Sequence, residues 1–329
     1  MCWHLYGGLG AVGQGRPLLR IGQKHSFAPV DKDQTVTFYM EPELCQSAQA
    51  GKHNFIGKVA GVITRAGLDV RYVPFPRNVP EGQGWSMSHI KSPPDAQGLC
   101  FRRVYHYPFW QIENSAERWA WDVAQATFTP DPAEAKEAAR FYGFWENRLF
   151  GEAPQTSRRD GFVYVPLQGK LTEYRPFQIC SPLEMIEHCL AHNSQPVIAT
   201  LHPNEHYDRA EIAALKKLEK ANDRLTVQTG GMEALLAGCD YIVTQNSSVA
   251  FDGYFFGKPS LLFRKADFHH ISILAQTEDL AAGFVAVQRV APDYAAYLHW
   301  FWQKNSINAG RPEAEEMIAV RLRRFGWPV

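Results

Sequence analysis

Residues 240–259 read DYIVTQNSSVAFDGYFFGKP, and the reading of this stretch decides the fold. Tyr241, Ile242 and Val243 form an apolar strand that ends in Thr244, Gln245 and Asn246. Ser247 and Ser248 then open a helix, which Gly257 stops, with Pro259 just beyond it. A strand that carries hydroxyls and unpaired N–H groups to a helix start builds a place for an anion. First-turn donors have no internal partners, and the helix dipole is positive there.

Outward from this stretch, the same alternation repeats. Residues 162–166, 196–201, 225–228 and 260–263 read as strands, with helices predicted at 182–193, 208–222 and 232–237. Toward the N-terminus, 35–40 is a β-branched and aromatic strand, followed by a loop over 41–53. A helix over 54–66 stops at Gly67, and 68–73 is the next strand. This βαβ unit implies a parallel sheet, because its crossover is right-handed. A strand is predicted over 102–107 and a helix over 131–150, opened by Asp131 and Pro132. The polar segment 151–159, broken by Pro154, is read as a domain boundary.

The expectation is an α/β protein of two Rossmann-like, doubly wound domains facing a cleft, the GT-B-like arrangement. Residues 1–34 are an irregular segment, 35–150 the first domain and 160–311 the second. A final helix within 312–329 crosses back to tie the halves together. Gly8, Gly10 and Gly13 spell the dinucleotide pattern G-x-G-x-x-G. Gly15, Arg16 and Pro17 stand where its helix should run, so it is read as a turn.

Composition narrows the function classes. The 329 residues carry 34 basic and 34 acidic side chains, a balance that argues against a nucleic-acid groove. The six cysteines form no C-x-x-C pair and read as buried thiols of a reducing compartment. The opening MCWHLYGGLGAVG lacks a basic lead into an apolar run, and no stretch reaches the roughly 20 apolar residues of a membrane span. A cytoplasmic protein is expected. The aromatic clusters 105–110 and 300–302 leave room for peripheral attachment at the inner membrane or for a partner surface.

Three polar clusters fall at carboxyl ends of strands in the second half: 168–173, 202–206 and 245–252. His202 is held at a strand end by Pro203, where an imidazole donor could bind a phosphate or stabilise its departure. His202 and His206 make H-x-x-x-H, but Pro203 prevents the helical register of a zinc pair, so no metal is expected. Gln168, Gln245, Asn246, Ser247 and Ser248 are candidate nucleotide and phosphate contacts, although ordinary N-capping also accounts for the serines. Asp252, one helical turn after Ser248, could accept from sugar hydroxyls. Arg264 and Lys265 could neutralise the phosphate, and His269 or His270 could reach the sugar. Glu173 is a candidate base or nucleophile. In the first half, Glu41 at a strand end and His53 at a helix start stand where an acceptor or its general base would lie.

Pro166-Leu167-Gln168, then CSPLEMIEHCL, His202-Pro203 and TQNSSVAFDGYFFGKP together resemble the bacterial capsule polysaccharide biosynthesis family over about residues 160–265. That family includes transferases of 3-deoxy-manno-octulosonic acid (Kdo) from CMP-Kdo onto lipid-linked capsule acceptors. The resemblance implies that His202 contacts the CMP phosphate and that Ser247 and Ser248 hold it at the helix start. The family pattern has an aspartate soon after PLQ, whereas this chain reads GKLTEYRPF, with Glu173 as the nearest carboxylate.

The leading expectation is therefore a glycosyltransferase. It would move Kdo or a related acidic sugar from a CMP-activated donor to a glycan or glycolipid acceptor, with no cofactor and no metal. Two alternatives stay open: a sugar-nucleotide 2-epimerase, and a catalytically silent subunit that binds glycan within a capsule assembly.

Overall fold

The run Thr35–Met40 (β1) buries Val36, Phe38 and Met40, as a β-branched strand inside a sheet should. The computed structural model describes residues 35–75, 84–174 and 178–329, all within one compact unit, Thr35–Val329. The glycine pattern at Gly8, Gly10 and Gly13 lies outside the described residues.

The first sheet contains β1, Asp69–Pro74 (β2), Ser86–His89 (β3), Leu99–Arg103 (β4) and Phe109–Glu113 (β5). The second contains Val163–Pro166 (β6), Val197–Leu201 (β7), Leu225–Thr229 (β8), Tyr241–Thr244 (β9), Ser260–Leu262 (β10) and Ile273–Leu274 (β11). A last short strand, Ile307–Asn308 (β12), returns to the first sheet and pairs antiparallel with β5. The orders are β12-β5-β4-β3-β1-β2 and β11-β10-β9-β6-β7-β8.

All pairings of the second sheet are parallel. Its order is the doubly wound 3-2-1-4-5-6, reversing between β6 and β9. The first sheet starts 2-1-3-4, reversing between β1 and β3. Ligands of open α/β sheets bind beyond the strands' carboxyl ends at such reversals. Two crevices are thus set by topology alone.

Several expectations need correction. The segment after β1 is a helix, Pro42–Gln49, started by Pro42 at its first turn rather than a loop. The strand expected over 102–107 is Leu99–Arg103, and the chain turns through Tyr105 and His106 into the antiparallel β5. The aromatic clusters expected as a partner surface are mostly interior, with Phe109 and Trp302 0% exposed and Phe301 1%.

Three cores result. One covers the first sheet and includes Ile318 and Leu322 of the helix Ala314–Arg324, which also packs on the helix Asn54–Arg65. One lies under the second sheet. The third is an aromatic seam joining the halves: Phe109 stacks on Trp302 at 4.4 Å, and Tyr105 on Phe251 at 4.4 Å. Aromatic pairs of this kind add to burial, so opening the cleft by a hinge would expose large buried aromatic side chains such as Phe109 and Trp302. The seam fixes the crevices relative to each other.

Candidate functional site

Ser248 ends up in a cavity built mostly by the other half. Ser247 is buried and caps the helix Ser248–Gly253, its Oγ accepting from the Val249 N–H at 3.3 Å. That leaves the exposed Ser248 to line a cavity of about 470 Å3 with His53, His89, Arg102, Arg103, Tyr105 and Arg118. Ser248 follows β9 and His89 ends β3, so one strand end from each sheet reversal opens on this space.

Glu41 follows β1 directly, and His89 lies across the β1–β3 reversal. His89 Nδ1 is 2.6 Å from Glu41 Oε2. Burial works to raise the Glu41 carboxyl. The hydrogen bonds from His89 and from its own backbone, with the charges of His89 and Lys91, outweigh it and hold the group below the usual carboxylate value. Burial also holds the His89 imidazole below its ordinary 6.5; Glu41 opposes this, and the Arg102 and Arg103 charges reinforce it. Near neutral pH the pair is a carboxylate accepting from a neutral imidazole's Nδ1–H, which leaves the Nε2 lone pair unused by Glu41.

His53 is the opposite tautomer. Its Nδ1 accepts the Ile56 N–H at 3.2 Å as the cap of the helix Asn54–Arg65, so in the neutral ring Nε2 carries the proton. Burial lowers its pKa, and the charges of His89 and Arg103 add to that. One cavity therefore holds an imidazole that can donate and another that can accept.

Its cations are unevenly matched. Arg118 Nη2 is 3.1 Å from Asp267 Oδ2, and its guanidinium lies 4.1 Å from the Tyr105 ring centroid. Arg102 is half-buried and has no hydrogen-bond or ion-pair partner among the described residues. Burial and the nearby Arg118 both disfavour its charge. A half-buried, unpaired guanidinium favours an incoming carboxylate or phosphate. The described non-glycine residues with left-handed backbone are Ile90 (φ 64), Tyr105 (φ 65) and Lys170 (φ 67), and the first two line this cavity. A β-branched residue there is a genuine outlier, and such strain gathers at functional sites.

The other expected residues are placed as follows. His202 follows β7, Gln168 follows β6, and Ser247 follows β9, so all three lie on one edge of a parallel sheet. His202 and Ser247 stand about two strand spacings, roughly 10 Å, apart. His202 is exposed; its N–H donates to the Tyr207 hydroxyl at 2.9 Å, and its Nδ1 accepts the Asn204 N–H at 3.2 Å. Pro203 is exposed beside it, and Gln168 and Asn246 are half-buried. Gln245 is buried, and its Nε2 donates to the Cys180 carbonyl at 2.8 Å, which ties down the loop after β6.

Four residues differ from their expected roles. Asp252 is buried, and its Oδ1 lies 2.7 Å from His106 Nε2, so its carboxylate joins the two halves instead of facing sugar hydroxyls. His270 bonds the Tyr297 hydroxyl at 2.9 Å and packs edge-on against Trp300, inside the seam. His269 is bound to the Ala266 carbonyl and stacks on His270 at 4.6 Å. Glu173 is exposed and forms a 2.6 Å pair with Lys170, a solvated ion pair rather than a poised base. Arg264 and Lys265 line a separate cavity of about 380 Å3, where the Arg264 guanidinium sits 3.4 Å over the Trp119 ring.

Sequence reasoning missed His89, Arg102, Arg103, Arg118 and Asp267. A signal for the arginines existed, since Arg102 and Arg103 close a strand at its carboxyl end. None existed for His89, whose partner lies 48 positions earlier.

No family model and no curated protein matches this chain. Among solved structures, it is similar to KpsC of Thermosulfurimonas dismutans, a β-Kdo 2,7 transferase. The two share 12% identity and a TM-score of 0.50, over 88% of this chain and 99% of that one. It is also similar to Methanocaldococcus jannaschii UDP-GlcNAc 2-epimerase, solved with UDP-GlcNAc and UDP (10% identity, TM-score 0.35, 89% and 99% covered). A third is the wall teichoic acid polymerase TagF (10% identity, TM-score 0.30, 89% of each chain covered). At these identities the likeness is one of fold, and the fold is of the GT-B type.

Proposed function

We propose that this protein is a glycosyltransferase that moves an acidic sugar, Kdo or a related one, from a CMP-activated donor to a hydroxyl of a surface-glycan acceptor. The observation that carries the reading is the shared cavity, lined by Ser248 from one sheet reversal and by His89 from the other, with Glu41 behind the imidazole at Nδ1. A donor phosphate beside Ser248 sets the anomeric carbon toward the first half. There His89 Nε2 accepts the proton of the acceptor hydroxyl. The acceptor oxygen bonds the anomeric carbon, and the bond from that carbon to the phosphate breaks, with CMP taking the electron pair. Arg102 and Arg103 suit the carboxylate of an acidic sugar. A 2-epimerase needs carboxylates for proton abstraction, and none lines this cavity among the described residues.

Thermal unfolding with nucleotides tests the donor. CMP at about 100 times its Kd is expected to stabilise by about 2.7 kcal/mol, a rise in Tm of roughly 4 °C for a chain of this size. UDP and GDP should do less. Absence of a shift with any nucleotide overturns the reading, and a larger shift with UDP reassigns the donor.

The pH dependence tests the base. The folded His89 pKa lies below 6.5, so the neutral, proton-accepting form persists through pH 6.5 and is lost only as pH falls further. The acid limb of kcat/KM is therefore expected below 6.5 and should vanish in H89Q. A limb at or above 6.5 would assign the base elsewhere.

A further inference from the structure

We propose that the outward face of the helix Ala135–Phe150, with Arg311 beside it, docks on a membrane surface rich in anionic phospholipid. This face borders a second cavity, of about 520 Å3, lined by Arg140, Phe141, Phe144, Trp145, Arg148 and Arg311. The five helical residues among them recur at spacings of three, four and seven, so they share one face.

The charge of this face is one-sided. Arg140, Arg148 and Arg311 are exposed and have no ion-pair partner among the described residues. Glu137, the one acidic residue lining the cavity among the described residues, has its Oε1 3.8 Å from His299 Nε2. Phe144 stands between the arginines with 57% of its surface exposed. A soluble anion would meet the guanidiniums but would give no reason for an outward phenylalanine among them. A phospholipid surface supplies both partners: phosphodiesters for the arginines and an acyl boundary for the ring. The face is preformed, because Trp145 is buried beneath it and the Tyr142 hydroxyl donates to the Tyr254 and Phe255 carbonyls at 3.0 Å. Tyr107 lines both this cavity and the one holding His89. A bound membrane would thus lie beside the acceptor side of the cleft.

Co-sedimentation of the full chain with vesicles tests this without reference to transfer activity. Binding is expected to phosphatidylglycerol–phosphatidylcholine vesicles, weakening as salt rises, with little to phosphatidylcholine alone. Each arginine at an anionic surface contributes roughly fivefold in partitioning, so R140E/R148E should lose at least about 25-fold. F144S should lose less, and both variants should keep the parent Tm because all three side chains are exposed. The proposal is overturned by no binding to anionic vesicles, by equal binding to both vesicle types, or by unchanged binding of R140E/R148E. Binding to a soluble anionic polysaccharide but not to vesicles overturns it as well.

Discussion

Replacing His89 with alanine is expected to abolish most sugar transfer, lowering kcat by about 10²–10⁴, while CMP still stabilises the protein as it does the parent. The split follows from the geometry. His89 belongs to the first half and is bonded to Glu41 at 2.6 Å, whereas the expected phosphate contacts belong to the second. Losing the imidazole removes the proton acceptor and leaves the nucleotide side intact. E41Q should cost less than H89A, because the amide still meets His89 but no longer requires its Nδ1–H tautomer. The Glu41 side chain is also 43% exposed, so water can take its place in part. A merely structural role for His89 would lower Tm and leave the pH profile of the residual activity unchanged. H89A with parental turnover would remove the base assignment, and with it the acceptor side of the mechanism.

The sheets were legible where a strand announces itself by composition. β1 and β9 are runs rich in β-branched and aromatic residues, each followed by polar residues that lead into a helix, and their spacing with helices between them favours parallel pairing. β3 reads Ser-Met-Ser-His, a weak strand by propensity; it forms because β1 and β4 pair with it on either side, burying Ser86 and Ser88 completely. The site divides the same way. Ser248 is visible because strand, serines and helix are contiguous. Glu41–His89 and Arg118–Asp267 are 48 and 149 positions apart and meet only through topology. Asp252 shows the converse failure: helical spacing placed it correctly one turn from Ser248, but spacing cannot reveal that His106 arrives from the other half to occupy it. Aromatic density was ambiguous for a related reason. Trp302 and Phe144 look alike in sequence, yet one is buried in the seam and the other projects outward.

The largest expected loss of stability comes from Asp267→Ala. Asp267 is 0% exposed; it accepts from the Tyr105 hydroxyl and from Arg118 Nε at 3.2 Å, and its Oδ2 lies 3.1 Å from Arg118 Nη2 in an ion pair. Arg118 is itself mostly buried, 4.1 Å from the Tyr105 ring and 5.3 Å from the Trp121 ring. Alanine would leave a buried cation and a buried hydroxyl without their acceptor, a change that costs about 3–5 kcal/mol, or roughly 4–7 °C in Tm. The damage would reach the site, since Tyr105 and Arg118 both line the cavity with His89. The double variant D267A/R118M decides whether charge is the cause. With the orphaned guanidinium gone, much of the stability should return, so the two substitutions should be strongly non-additive. If D267A unfolds within about 1 kcal/mol of the parent, or if the two losses simply add, Asp267 is not the acceptor that holds the halves around the cavity. The fixed cleft would then rest on the aromatic seam alone.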